Sequence, residues 1–187
     1  MTRITRFSAQ IVTLCIFILG LAAAPAATSG PALSRIQDKG ELVLGTSGNM
    51  PPMSHKLDDG EVVGFDIDLA RLMASGMGVK LKIRTMAFSE LLPALQKGDV
   101  DVVISNVTMN PKRNMSVAFV GPYMTSGKCV ITKEERLAKA SEAENLNVPE
   151  TRLAALQGST SAEFIKVLLP NATMTLIEDY DGGVRMI

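Results

Sequence analysis

The stretch Ser105-Asn106-Val107-Thr108-Met109-Asn110-Pro111-Lys112-Arg113 sets hydroxyl, amide and guanidinium groups at the end of a mostly apolar run, Val100 to Ser105. Asn110 can cap a helix, and Pro111 suits the first helical position because its missing N–H costs nothing there. N–H groups left free at a helix start attract an anion. A cation in the first turn is mildly unfavourable against the helix dipole, so Arg113 invites a functional reason. Its planar fork matches a carboxylate in a bidentate pair. The competing reading is that Lys112 and Arg113 are surface charges.

A second anion-friendly turn stands in the other half of the chain. Gly158-Ser159-Thr160-Ser161 follows the apolar-rich run Thr151 to Leu156 and precedes a helical pattern. Glycine and small hydroxyl residues at a helix start offer further N–H donors. Alone, this turn is a plain helix cap. Two such turns could clamp one carboxylate from opposite sides. Phe88, just before a helix, is either core or a platform for a ligand side chain.

Other chemistries find little support. His55 is the only histidine. It sits in a polar stretch that reads as an exposed hairpin, with no second ligand for zinc and no nucleophile-elbow sequence nearby. Cys129 lies in Lys128-Cys129-Val130-Ile131, which reads as a strand with a buried structural thiol. No metal and no cofactor is expected. The balance of 19 basic and 19 acidic residues lacks the basic footprint of a nucleic-acid protein.

The elements that must position these residues follow from periodicity. Glu41 to Thr46 reads as a first strand, ending in the turn-rich Ser47 to Met53. Asp58-Asp59-Gly60 marks a hairpin turn. Asp66 to Met77 has apolar residues at helical spacing, with Gly76 and Gly78 at its end. Lys80 to Arg84 alternates like a half-buried strand. Ser89 is placed to cap a helix over Glu90 to Lys97, with Pro93 in its first turn and Gly98 as its stop. Val100 to Ser105 suits a buried strand. Ser34 to Gly40 reads as a short polar lead-in with Ile36 as its apolar contact. Beyond a linker at Thr125-Ser126-Gly127 come strands over Lys128 to Thr132, Thr151 to Leu156 and Met174 to Ile177. A helix carries Phe164, Ile165, Leu168 and Leu169, with Thr160 and Glu163 at capping-box spacing. Another helix starts at Asp181. The charged stretch from Lys133 to Glu144 reads as solvated. Alternating strands and helices imply parallel sheets, whose ligands bind beyond the carboxyl ends of the strands. Those ends are 47–53 and 105–113.

The first residues concern address. Arg3 and Arg6 precede an apolar run from Ile11 to Ala24, followed by Ala22-Ala23-Ala24-Pro25-Ala26-Ala27. This pattern is a secretory signal peptide, assigned to residues 1–26. The run is about 14 residues, short of the ~20 that span a bilayer.

The segments Gly64-Phe65-Asp66-Ile67-Asp68-Leu69-Ala70, Leu91 to Leu95 with Gly98 to Asp101, Ser105 to Arg113, Pro122-Tyr123 with Ser126-Gly127, and Gly158 to Ser161 together resemble one family. It is the extracellular solute-binding proteins of the family-3 type, for polar amino acids. The resemblance covers about residues 35 to 187. It implies an α/β fold of the type II periplasmic-binding-protein kind, with two lobes on a two-stranded hinge: lobe 1 at 35–125 and an incomplete lobe 2 at 126–187. Arg113 then holds the ligand α-carboxylate, and Thr108, Ser159 and Thr160 add donors. Ser105 and Asn106 are among the ligand contacts at the strand end, with Asn106 offering a carbonyl to the ligand amine. Phe88 flanks the ligand side chain, and Met50 falls where the family often has an aromatic wall. The second hinge strand and the acid that partners the ligand ammonium are missing from this sequence, which reads as a truncated chain. The implied function is capture of a small polar solute, an amino acid or related carboxylate, in the periplasm for the permease of an ABC uptake transporter. A monomer, no enzymatic activity and no nucleic-acid partner are expected. The alternative is a periplasmic dehydratase on the same scaffold, acting on a cyclic carboxylic acid.

Overall fold

The computed structural model describes residues 30–140 and 142–187; the proposed signal peptide lies outside them. Residues 36–187 form one compact unit. Helix α1 (Pro31–Lys39) stands where a polar lead-in was expected. Pro31 occupies its first position, Lys39 its last turn, and Gly40 follows in the left-handed conformation, which is start and stop chemistry the apolar periodicity did not register. Ile36 is buried with Leu42 and Ala74.

Strand β1 (Glu41–Thr46) runs as predicted. It is the centre of a three-stranded parallel sheet, flanked by β5 (Lys80–Thr85) and β6 (Val102–Val103). Between β1 and β5 lie a small antiparallel sheet of β2 (Asn49–Met50), β3 (Ser54–Lys56) and β4 (Val62–Val63), then helix α2 (Phe65–Gly76). Leu44, Ile67, Ala70, Val62 and Ile104 form the core beneath α2. β6 is shorter than the expected strand over 100–105 because Asp101 takes part in the ladder with its side chain. Its carboxylate accepts from the Val43 N–H at 2.9 Å, while its own N–H donates to the Val43 carbonyl at 2.8 Å.

The start of α2 is built on backbone. Phe65 and Asp66 donate their N–H groups to the carbonyls of Pro52 and Met53, which satisfies donors that a helix start leaves free. This close approach needs Gly64, whose φ is 128°. A Cβ there would collide with the Met53 carbonyl and lie 2.8 Å from the Pro52 oxygen.

After β5 the chain makes a 3₁₀ turn (Phe88–Glu90) and enters α3 (Leu91–Lys97), closed by Gly98 in the left-handed region. Ser89 is therefore not the cap: it lies inside the 3₁₀ turn, and Glu90 precedes α3 without a side-chain cap bond. The turn begins earlier than predicted because Phe88 is buried against Met50 and Leu91.

The second half carries α5 (Glu135–Ala138), β7 (Arg152–Leu156), α6 (Thr160–Leu168), β8 (Thr173–Ile177) and α7 (Tyr180–Val184), following the short α4 (Pro111–Asn114) of the first half. β7 and β8 pair in parallel, and Ala162, Ile165 and Leu169 pack on Leu153 and Ala155. The expected strand over 128–132 does not form: the segment joins no sheet among the described residues. Cys129 is correspondingly exposed rather than buried. Apolar residues alone do not make a strand without a neighbour to complete its ladder. The α6 cap is Ser159, whose hydroxyl accepts from the Ala162 N–H at 3.1 Å. The capping box of Thr160 and Glu163 is thus displaced by one residue and does not form.

Replacing Gly64 with Ala should destabilise the fold by at least ~2 kcal/mol, because a strained φ and a backbone collision add. Urea denaturation followed by far-UV circular dichroism measures it.

Candidate functional site

The loop after β6 is held at three points. At its start, Ser105 is buried, and its hydroxyl accepts from the Ser47 N–H at 3.0 Å and donates to the Ser47 hydroxyl at 3.2 Å. Ser105 therefore ties the loops after β1 and β6 together, and that hydroxyl is already engaged. In its middle, the Asn106 N–H donates to the Tyr123 hydroxyl at 3.0 Å. At its end, the Asn110 side chain accepts from the Arg113 N–H at 2.8 Å, the N-cap expected of Asn-Pro. Asn106 has φ 53°, the one positive value outside glycine among the described residues.

Arg113 reaches across from α4 to the second half. Its guanidinium donates to the Thr108 carbonyl at 2.7 Å and to the Gly158 carbonyl at 2.9 Å. The guanidinium carbon stands 6.0 Å from the centre of the Phe88 ring, within cation–π range. Burial pushes the Arg113 pKa below its ordinary value, with Glu163 pulling it back; arginine stays charged in either case. The Thr160 hydroxyl donates to the Thr108 hydroxyl at 3.3 Å and accepts from Lys128 at 2.9 Å. Lys112 pairs with Glu163 at 3.2 Å on the exposed rim. At Gly158 the halves touch closely: a Cβ there would lie 3.2 Å from the Ser89 Cβ.

Arg113, Thr108, Phe88 and Thr160 thus come together around the Gly158 turn. Ser159, buried, is next in chain but spends its hydroxyl capping α6. Met50 belongs to the buried cluster with Phe88, Leu91 and Leu156, and the Asn106 side-chain amide lies 3.9 Å from its sulfur. Sequence reasoning missed Lys128, which it had placed in a strand; only its position after the Ser-Gly linker hinted at a crossing to the site. It also gave no role to Tyr123 or Asp66. A cavity of 340 Å³ opens nearby, lined by Ala87, Ser89, Glu90, Gln157 and Glu178; none of the predicted ligand residues lines it.

In this arrangement both guanidinium partners are neutral carbonyls. A carboxylate entering here would exchange neutral acceptors for a charged, bidentate one, and charge-assisted hydrogen bonds are roughly twice as strong.

The sequence profile of the bacterial extracellular solute-binding proteins, family 3, matches residues 42–171, the span that holds Arg113, Thr108, Phe88 and the Gly158 turn. The chain belongs to that family. It is 27% identical over 165 residues to the cyclohexadienyl dehydratase of Pseudomonas aeruginosa, covering 88% of this chain and 61% of that protein. To the ABC transporter glutamine-binding protein GlnH of Bacillus subtilis it is 28% identical, covering 93% of this chain and 67% of the relative. Among solved structures it superposes on the ancestral amino-acid-binding protein AncCDT-1, a precursor of cyclohexadienyl dehydratase, with TM-score 0.79 and 35% identity. That match covers 83% of this chain and 68% of the other. The chain thus spans about two thirds or less of the length of these proteins. Their fold is that of type II periplasmic binding proteins, so the predicted α/β class holds.

One buried group stands apart from the clamp. Asp66 is fully buried in the first turn of α2, and neither carboxylate oxygen has a partner of hydrogen-bond geometry. Burial raises its pKa, partly offset by the Tyr123 hydroxyl beside it. The raised value makes ionised Asp66 a cost to folding that vanishes once the carboxyl is protonated in both folded and unfolded chains. Asp66→Asn should therefore stabilise the protein at pH 7, raising Tm by about 2–4 °C per kcal/mol relieved. The gain should shrink to nothing near pH 3. Thermal melts of both proteins across that range check it.

Proposed function

We propose that the chain is the ligand-capturing part of a periplasmic uptake system for a small polar amino acid. The observation that carries the reading is the Arg113 guanidinium, held between the Thr108 and Gly158 carbonyls over the face of Phe88. In this reading the α-carboxylate of the ligand takes the guanidinium. The hydroxyls of Thr108 and Thr160 and the N–H groups around Ser159 add donors, and the Asn106 carbonyl receives the ammonium. Phe88 and Met50 bound the ligand side chain.

Lobes at 35–125 and 126–187 would part to admit ligand and close around it, because the ligand binds both faces only in the closed form. The loaded protein would then deliver its cargo to the permease of an ABC transporter, after export directed by residues 1–26. Relatives whose names specify amino-acid binding, such as GlnH, support this reading.

A second reading is favoured by one observation, the similarity to cyclohexadienyl dehydratase over 88% of the chain. Dehydration needs a positioned acid and base, and His55 is exposed on β3. Turnover of a cyclohexadienyl carboxylic acid, followed by ultraviolet absorbance, would overturn the binding-only reading.

Arg113→Ala should weaken amino-acid binding by ~2–5 kcal/mol, as expected for removing one partner of a buried charge pair. Arg113→Lys should recover only part of the loss, because an ammonium lacks the planar fork. Isothermal titration calorimetry against the twenty amino acids measures both, and unchanged affinity in Arg113→Ala would refute the assignment.

A further inference from the structure

Three segments that the carboxylate clamp leaves unexplained converge on one hydroxyl. Tyr123 accepts the Asn106 N–H at 3.0 Å. Its ring packs on Phe65, with centroids 6.2 Å apart and planes inclined by 30°. Its hydroxyl lies beside the carboxyl of Asp66, a buried acid neither of whose oxygens has a partner of hydrogen-bond geometry. Phe65 and Asp66 open α2, Asn106 opens the ligand loop, and Tyr123 stands where the chain leaves the first half. A phenol can accept with a lone pair while giving its proton to a carboxylate. Here the phenol accepts from the Asn106 N–H, and the Asp66 carboxyl is its electrostatic neighbour.

The group so held is unusual. Asn106 adopts φ 53°, a conformation that costs an L-residue free energy and persists only where its surroundings hold it. Its side-chain amide is occupied only by the weak contact to the Met50 sulfur at 3.9 Å, so the backbone bond to Tyr123 is the firm restraint. Two residues on, Thr108 turns its carbonyl to the guanidinium at 2.7 Å. The left-handed turn at Asn106 therefore sets where that carbonyl points.

We propose that Tyr123 is a positioning residue for ligand capture: its hydroxyl, seated between Asp66 and the Asn106 N–H, pins the left-handed turn that aims the ligand loop at Arg113. This rests on the amino-acid-binding reading above and adds a restraint behind it. Tyr123 touches no ligand. It acts through the backbone of Asn106, and the ring contact with Phe65 keeps the phenol in register.

Two variants of the full chain separate the oxygen from the ring. Tyr123→Phe removes the hydroxyl and keeps the ring on Phe65; Tyr123→Leu removes both. The probe is whichever of the twenty amino acids binds the unaltered protein most tightly. Tyr123→Phe should lower that affinity about five- to tenfold, the scale of one hydrogen bond. It should also speed amide hydrogen exchange at 106–110 while leaving the amides of β1 and β5 unchanged, a local effect that general destabilisation would not produce. Normal affinity and exchange in Tyr123→Phe, with losses confined to Tyr123→Leu, would overturn the proposal and leave only ring packing. Arg113→Ala distinguishes the two readings. If it abolishes binding while Tyr123→Phe changes nothing, capture stands and the positioning role falls. If the unaltered protein binds no amino acid, the capture reading falls and the exchange rates alone decide whether Tyr123 pins the loop.

Discussion

The Arg113 guanidinium donates to both halves of this molecule. Arg113 is anchored to the first half by its own backbone, through the Asn110 cap, and reaches the second half at the Gly158 carbonyl. A charged donor withdrawn from water must find acceptors. In this structure those acceptors are backbone carbonyls from both halves. The same requirement that now draws the halves together would be met better by a carboxylate between them. In the proposed capture reading, attraction between the halves and affinity for an acid draw on the same donor.

The scaffold serves that geometry by making the site from strand ends. β1 and β6 both deliver loops to one edge, and the Ser47–Ser105 pair ties those loops together. β7 delivers the Gly158 turn from the other side. The short α4 has no buried residue of its own and is held by its cap, so its orientation depends on the loop that leads into it. The order of dependence runs from sheet, to loop, to cap, to guanidinium.

Much of this was legible in the sequence. β1, β5, α2 and β7 follow from periodicity to within one or two residues, because their apolar residues recur at the spacing of the element they form. Asn110-Pro111 announced its cap, and Gly98 its stop, since those residues carry local rules. The failures have a common cause. The strand expected over 128–132 needed a partner strand, the Ser89 cap yielded to burial of Phe88, and Ser159 rather than Thr160 took the cap. In each case a tertiary contact, or its lack, outweighed a local preference. The roles of Lys128 and Tyr123 were invisible for a related reason. Nothing near them in sequence tells that a lysine after a linker meets Thr160, or that a phenol receives an amide seventeen residues away.

The buried cluster of Met50, Phe88, Leu91 and Leu156 has a consequence of a different kind. Three of its members come from the first half and one from the second, so parting the halves would wet apolar surface. Hydration of such surface raises the heat capacity. The separated form should then hold more heat per degree than the closed one, and the enthalpy of capturing a solute should grow more negative on warming. In the proposed reading, the apolar floor would give opening and closing a calorimetric signature that does not depend on the solute.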